Sequence, residues 1–229
     1  MQITKTTQDL LTSFVNINPS ILIKAGNKVS TMSPAKNILA QATIPENFEH
    51  DVCFYDLGQF LGIIKQEIYE GAEYHFNETA VTVSKDKNTV IYNYAAPNTI
   101  ILPPNKTPQM PTPDVVVELK EETLAIIQTM VNVLGKEDVS ISSNGVDINI
   151  SVVDKSDTTS NEFTAYLGPG DGTEYTMYFK KDSLKILPGS YTVSLSKQFI
   201  SHFEHEEDEL EYYIALEQDS EYKNPSEDY

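Results

Sequence analysis

Apolar positions along this chain switch between a period of 3.6 and a period of two. Over residues 5–16, Leu10, Leu11, Phe14 and Val15 fall on one side, with Gln8, Asp9, Thr12 and Ser13 on the other. That spacing predicts a helix capped by Thr6 or Thr7 and stopped by Asn18-Pro19. Short strands are expected next over residues 21–24, near Val29, and over 38–43 and 51–55, with a turn at Gly26-Asn27. Asp56 is placed to cap a second helix whose buried face is Leu57, Phe60, Leu61 and Ile64. Strands over 74–76, 80–84 and 90–94 complete this half, with Asp86-Lys87-Asn88 turning the last hairpin.

Five of the chain's 12 prolines then fall within residues 102–113, namely Pro103, Pro104, Pro108, Pro111 and Pro113. Proline fixes φ and lacks an N–H, so this stretch is expected as an extended surface strap near the chain's midpoint. Beyond it the order of elements recurs. A strand over 115–119 leads into a helix over 120–134 with Leu124, Ile127, Met130, Val131 and Leu134 inward. Strands follow over 139–142 and 146–152 around an Asn144-Gly145 hairpin, then 163–167 and 175–179, a short helix over 180–187 ended by Pro188-Gly189, and strands over 191–195, 200–203 and 211–217. At an offset of 116, Leu10, Leu11, Phe14, Val15 and Asn16 face Ile126, Ile127, Met130, Val131 and Asn132; at 124, Tyr55 and Phe60 face Phe179 and Leu184. The reading is a tandem repeat of α+β domains, 1–102 and 114–220, around a connector at 103–113, with residues 221–229 as a solvated acidic tail.

Charge changes the picture. The net charge is −18, and all 16 basic residues are lysines. Without arginine there is no bidentate reading of guanine, so sequence-specific DNA recognition is close to excluded, whereas loose contact with a polyanion is not. The four helical stretches, 5–16, 56–65, 120–136 and 180–187, hold seven lysines against five acids, so they stand near or above neutrality on an acidic body. Those lysines are Lys5, Lys65, Lys120, Lys136, Lys180, Lys181 and Lys185. Cys53 is alone, no apolar run approaches a membrane span, and the N-terminus carries no secretory signature, so a cytosolic location is expected and the sequons at Asn77 and Asn149 read as chance matches.

Three segments, Tyr55-Asp56-Leu57-Gly58-Gln59-Phe60-Leu61-Gly62-Ile63, Pro188-Gly189-Ser190-Tyr191 and Tyr212-Tyr213-Ile214-Ala215-Leu216-Glu217, resemble the DNA polymerase sliding clamps of T-even-type bacteriophages. The resemblance spans residues 1 to about 220. It implies two tandem clamp-type domains, with antiparallel sheets outside and two short helices per domain inside, assembled as a homotrimeric ring. The ring would encircle duplex DNA and act as a processivity factor in viral DNA replication, without enzymatic activity or cofactor, in the host cell cytoplasm. The implied partners are the C-terminal peptide of the DNA polymerase, the clamp loader and late-transcription factors. The seven helical lysines would face the DNA; Met110, Pro111, Tyr213 and Ala215 would form the partner-peptide pocket; and the strands holding Val90, Tyr92, Phe163 and Tyr166 would be the subunit edges. Gln128 and Thr129 stand where the family pattern leads us to expect basic residues. An acidic virion structural or assembly protein, or a DNA mimic, is the alternative reading of the charge.

Other signals carry less. His202 and His205 are three apart on a strand and point to opposite faces, which is no metal spacing. Gly168-Pro169-Gly170-Asp171-Gly172-Thr173 lacks the lysine and helix of a phosphate cradle and reads as a turn. No nucleophile elbow is present, and Cys53, in an apolar strand, is expected to be inert.

Overall fold

The computed structural model describes residues 1–223 apart from 105, 107 and 158. The chain divides into two compact units, Met1–Thr107 with Asp208–Leu210, and Pro108–Glu207 with Glu211–Tyr229.

In the first unit, helix α1 (Lys5–Val15) starts two or three residues earlier than a cap at Thr6 or Thr7 would allow. Thr4 is its cap, accepting from the Thr7 amide. The buried Glu46 carboxylate takes the Thr4 amide and the Thr7 hydroxyl, both at 2.5 Å, so an acid far along the chain satisfies the free donors of the first turn. Strands β1 (Ile21–Ile23), β2 (Gly26–Met32), β3 (Ile38–Phe48) and β4 (Val52–Phe54) follow, β1 pairing with β4 and β2 with β3, all antiparallel. Gly26 is not part of a turn as its Gly-Asn dipeptide suggested. At φ +116 it opens β2, and the register with β3 slips between Gly26 and Lys28. Helix α2 (Leu57–Ile64) begins where expected, the Asp56 carboxylate accepting from the Gln59 amide at 2.8 Å. Leu57, Phe60, Leu61 and Ile64 are buried, and Phe60 stacks on Phe54 at 4.4 Å between ring centres. A three-stranded sheet, β5 (Glu73–Phe76), β6 (Ala80–Lys85) and β7 (Asn88–Asn93), completes the unit.

The second unit opens with β8 (Val115–Leu119) and α3 (Glu121–Leu134), which ends at Gly135 in the left-handed conformation that a residue without a Cβ adopts freely. Then come β9 (Asp138–Asn144), β10 (Asp147–Val153), β11 (Phe163–Pro169) and β12 (Glu174–Lys180). The helix expected over 180–187 is only a 3₁₀ turn, Lys181–Leu184, with Lys180 closing β12 before it. Pro188 stands too close for a further turn to form. The chain finishes with β13 (Tyr191–Ser196), β14 (Ile200–His205), β15 (Leu210–Ala215) and β16 (Glu221–Lys223). Here the acidic-tail boundary fails: residues 221–223 are a strand, pairing with Glu174–Thr176 of β12. The unit's two layers follow the orders β11-β10-β9-β12-β16 and β8-β13-β14-β15. Phe179, Tyr191, Phe203 and Tyr212 fill its core and meet edge-on at 5.8–6.2 Å.

The units share a plan, a helix followed by antiparallel strands, a second short helical element and further strands. Their register differs by one residue from the sequence alignment. Thr7, Leu10 and Phe14 are buried in α1, and Leu124, Ile127 and Val131 in α3, an offset of 117. The apolar doublets Leu10-Leu11 and Ile126-Ile127 misled the comparison, because both members look alike in sequence while Ile126 lies on the exposed face at 45%. Tyr55 and Phe179 do not correspond either; Tyr55 is 65% exposed, and it is Phe54 that matches the burial of Phe179. Met130 and Leu134 are half-buried rather than inward.

Candidate functional site

The seven helical lysines sort by their partners. Lys5 stands exposed in the first turn of α1, and Lys65, at the end of α2, donates across to the Thr12 hydroxyl of α1 at 2.7 Å. Lys120 is the residue before α3 and is exposed. Among the described residues none of these three has a carboxylate partner. The other four do. Lys136 meets Asp154 at 3.7 Å and the Ser160 hydroxyl. Lys180 binds Asp138 at 2.6 Å, which holds its ammonium above the usual lysine range. Lys181 binds Glu137 at 2.5 Å with the same effect, and Lys185 binds Asp182 at 2.8 Å. Gln128, at a position where a base was looked for, instead donates to the Leu184 carbonyl at 2.8 Å and ties α3 to the 3₁₀ turn.

Sequence reasoning missed the centre of this network. Lys155, which follows β10, is mostly buried and reaches Asp219 at 2.8 Å, Glu217 at 3.3 Å and Asp138 at 4.0 Å. Burial depresses its pKa, but the bonds to Asp219 and Glu217 outweigh that and leave it raised; Asp219 is lowered in turn by the Lys155 hydrogen bond. A single lysine between polar residues offers no periodicity from which to read such a role.

The two strands expected as subunit edges do stand at the ends of their sheets, as several other strands also do: among the described residues β7, with Val90 and Tyr92, pairs only with β6, and β11, with Phe163 and Tyr166, pairs only with β10. Ile91 on β7 and Tyr166 on β11 are 61% and 60% exposed. Val90, Tyr92 and Phe163 are half-buried, and the Tyr92 hydroxyl donates to the Asp56 carbonyl at 2.9 Å, tying the edge to the start of α2.

On β15 the alternation is clear: Tyr212 and Ile214 are fully buried, Tyr213 is half-buried and Ala215 is exposed, so the last two share the face away from the core. Tyr213 lies flat on His202 of β14, ring centres 4.4 Å apart, and both reach Glu211, His202 at 2.6 Å and the Tyr213 hydroxyl at 3.1 Å. Burial, together with the Glu211 charge, pushes the Tyr213 phenol up to about 12. Met110 and Pro111 are half-buried in the irregular strap. Cys53 is buried, which raises its thiol pKa. No described helix is long and apolar enough to cross a membrane.

Paired helix-and-sheet units of this kind define the sliding-clamp class of fold. The chain superposes on proliferating cell nuclear antigen from Entamoeba histolytica with a TM-score of 0.66 at 17% identity, covering 92% of this chain and 94% of that one. It also superposes on the antigen of A. fulgidus, solved with the C-terminal region of FEN-1 bound, at 0.65 and 16% identity, covering 93% and 96%. Residues 116–218 match the family model described as gp45 sliding clamp, C terminal. The sliding clamp of Vibrio phage KVP40 is 30% identical over 224 residues, covering 95% of this chain and 99% of its own, and that of Enterobacteria phage T4 is 29% identical over 228 residues, covering 96% and 98%. The chain belongs to the bacteriophage sliding-clamp family.

Proposed function

We propose that this clamp works as a closed homotrimer that encircles duplex DNA and tethers the phage's replicative polymerase, without chemistry of its own. The observation that carries the reading is that the two strands expected as subunit edges, β7 in one unit and β11 in the other, are single-sided and hold Ile91 and Tyr166 largely exposed. An unpaired strand edge with exposed apolar side chains is an aggregation hazard unless another strand covers it. Two unlike edges on one chain suit a head-to-tail contact, and repetition of such a contact about an axis closes a ring. Retention on DNA is then topological, which fits lysines without arginine, since phosphate contacts that are weak and mobile do not stall sliding. The strap with Met110 and Pro111, and the outward pair Tyr213 and Ala215, are the proposed docking positions for the polymerase's C-terminal peptide, one apolar anchor against an aromatic and a methionine. The clamp loader would act on the same ring, as would late-transcription factors, in the host cytoplasm.

Light scattering is expected to give about three times the 25.6 kDa chain mass, and primer extension by the cognate polymerase with loader and ATP is expected to lengthen products only when the clamp is present. A monomer at micromolar concentration would sink the ring.

A further inference from the structure

The proposed DNA contact treats the seven helical lysines alike, yet their surroundings differ. In the second unit, Lys136, Lys180, Lys181 and Lys185 each have a carboxylate within 4 Å, and Lys120 is followed directly by Glu121 and Glu122 in the first turn of α3. The outward positions of α3 beyond that turn, Ala125, Ile126, Thr129, Asn132 and Val133, are uncharged. Apart from Lys120, whose neighbouring acids Glu121 and Glu122 make no ion pair with it among the described residues, a phosphate approaching this face meets lysines that are already paired, and drawing Lys180 away would leave Asp138, 6% exposed, without its nearest cation.

The first unit is arranged otherwise. α1 and α2 lie against one another, and the Lys65 ammonium spans the join to the Thr12 hydroxyl. Thr12 itself donates to the Gln8 carbonyl at 2.5 Å, so its oxygen is fixed as an acceptor for Lys65. A neutral acceptor orients the ammonium without cancelling its charge and leaves two of its three N–H donors for a phosphate. Gln59, Gly62 and Gln66, exposed around Lys65, are neutral, and Lys5 adds a second unpaired cation on α1. The acids nearby are Asp9 on α1, Asp56, committed to the α2 cap, and Glu67 and Glu70 after α2.

We infer that the phosphate grip of this clamp resides in the α1/α2 pair of the first unit, through Lys5 and Lys65, with Thr12 as the positioning residue for Lys65, while the helical elements of the second unit form a charge-compensated wall that the duplex slides past. This rests on the encirclement reading above and deepens it by assigning the contact to one unit.

Binding of a fluorescein-labelled duplex of about 30 base pairs, followed by anisotropy against salt, tests it. The double variant Lys5→Ala/Lys65→Ala is expected to weaken binding roughly tenfold at low salt and to flatten the salt dependence. Lys180→Ala/Lys181→Ala/Lys185→Ala is expected to stay within about twofold of the parent, because those charges are already spent. Thr12→Val is expected to weaken binding while keeping the parent's salt slope, since the charge remains and only its aim is lost; a purely structural role would instead move the melting temperature and leave binding alone. A double variant that binds like the parent, or a triple variant that loses binding, overturns the assignment and leaves the clamp reading intact. A parent protein that shows no duplex binding at any salt overturns the encirclement reading and this assignment with it.

Discussion

Gly189 shows how far one residue's surroundings can dictate its identity. Its φ is +152, and a Cβ built there would lie 2.0 Å from Nε2 of His205. The ring has no easy retreat: Tyr191 abuts it edge-on at 5.0 Å, and Nδ1 accepts from the Glu207 amide at 3.2 Å. Gly189→Ala is therefore expected to destabilise by about 2–4 kcal/mol, read as a lowered midpoint in urea. Gly62, on the exposed side of α2 with nothing within 4 Å of its virtual Cβ, is the opposite case. Gly62→Ala is expected to raise stability by about 0.5–1 kcal/mol through the helix propensity of alanine. Should both substitutions behave alike in the same urea series, the local packing described here would be wrong. From sequence Gly189 reads only as part of a Pro-Gly helix stop, because the steric conflict arises from a histidine sixteen residues away.

Among the elements, β16 depends most visibly on ion pairs. It is three residues long, pairs on one side with β12, and is held from outside by Lys223 on Glu174 at 2.7 Å and by Lys155 on the preceding Glu217 and Asp219. Glu174 and Asp219 have lowered pKa values, each first through its lysine hydrogen bond. Their ionised forms thus favour the folded strand above the ordinary carboxylate values, and that contribution disappears as pH falls through the lowered ones. Lys155, raised, keeps its contribution below its ordinary value of 10.5 and loses it as pH rises through the higher one. Amide protection at residues 221–223, the exchange rate measured against the intrinsic rate at each pH, is accordingly expected to be greatest across neutral pH and to fall below about pH 4 before that of the rest of the unit. Lys155→Met is expected to speed that exchange at pH 7 several-fold, since Asp138 and Glu217 would keep only Lys180. Equal exchange in parent and variant would remove Lys155 from the role of fastener.

For the whole molecule, the proposed ring makes the edges the vulnerable points. Ile91 and Tyr166 stand at the centres of β7 and β11 with their side chains largely exposed. A charge at either, Ile91→Lys or Tyr166→Lys, costs little in an isolated chain but buries an unpaired ammonium in an assembled one. Each is expected to shift sedimentation from the assembled species toward the 25.6 kDa chain with its melting curve nearly unchanged. Assembly that survives both substitutions would move the contact to other surfaces.

The sequence by itself determined the order of the main elements, the helix cap at Asp56, the α2 face and the duplicated plan, because each depends on the period of apolar positions over a few residues. The tertiary structure alone decided that the repeat is offset by 117, that Glu46 closes the start of α1, that residues 221–223 are a strand, and that Lys155 gathers three of the unit's carboxylates while Lys5 and Lys65 have none among the described residues. The reason is physical. Periodicity reports which side of an element faces the core, whereas an ion pair or a strand edge depends on which distant residues the fold brings within a few ångströms, and a lysine looks the same in sequence whether its charge is spent or free.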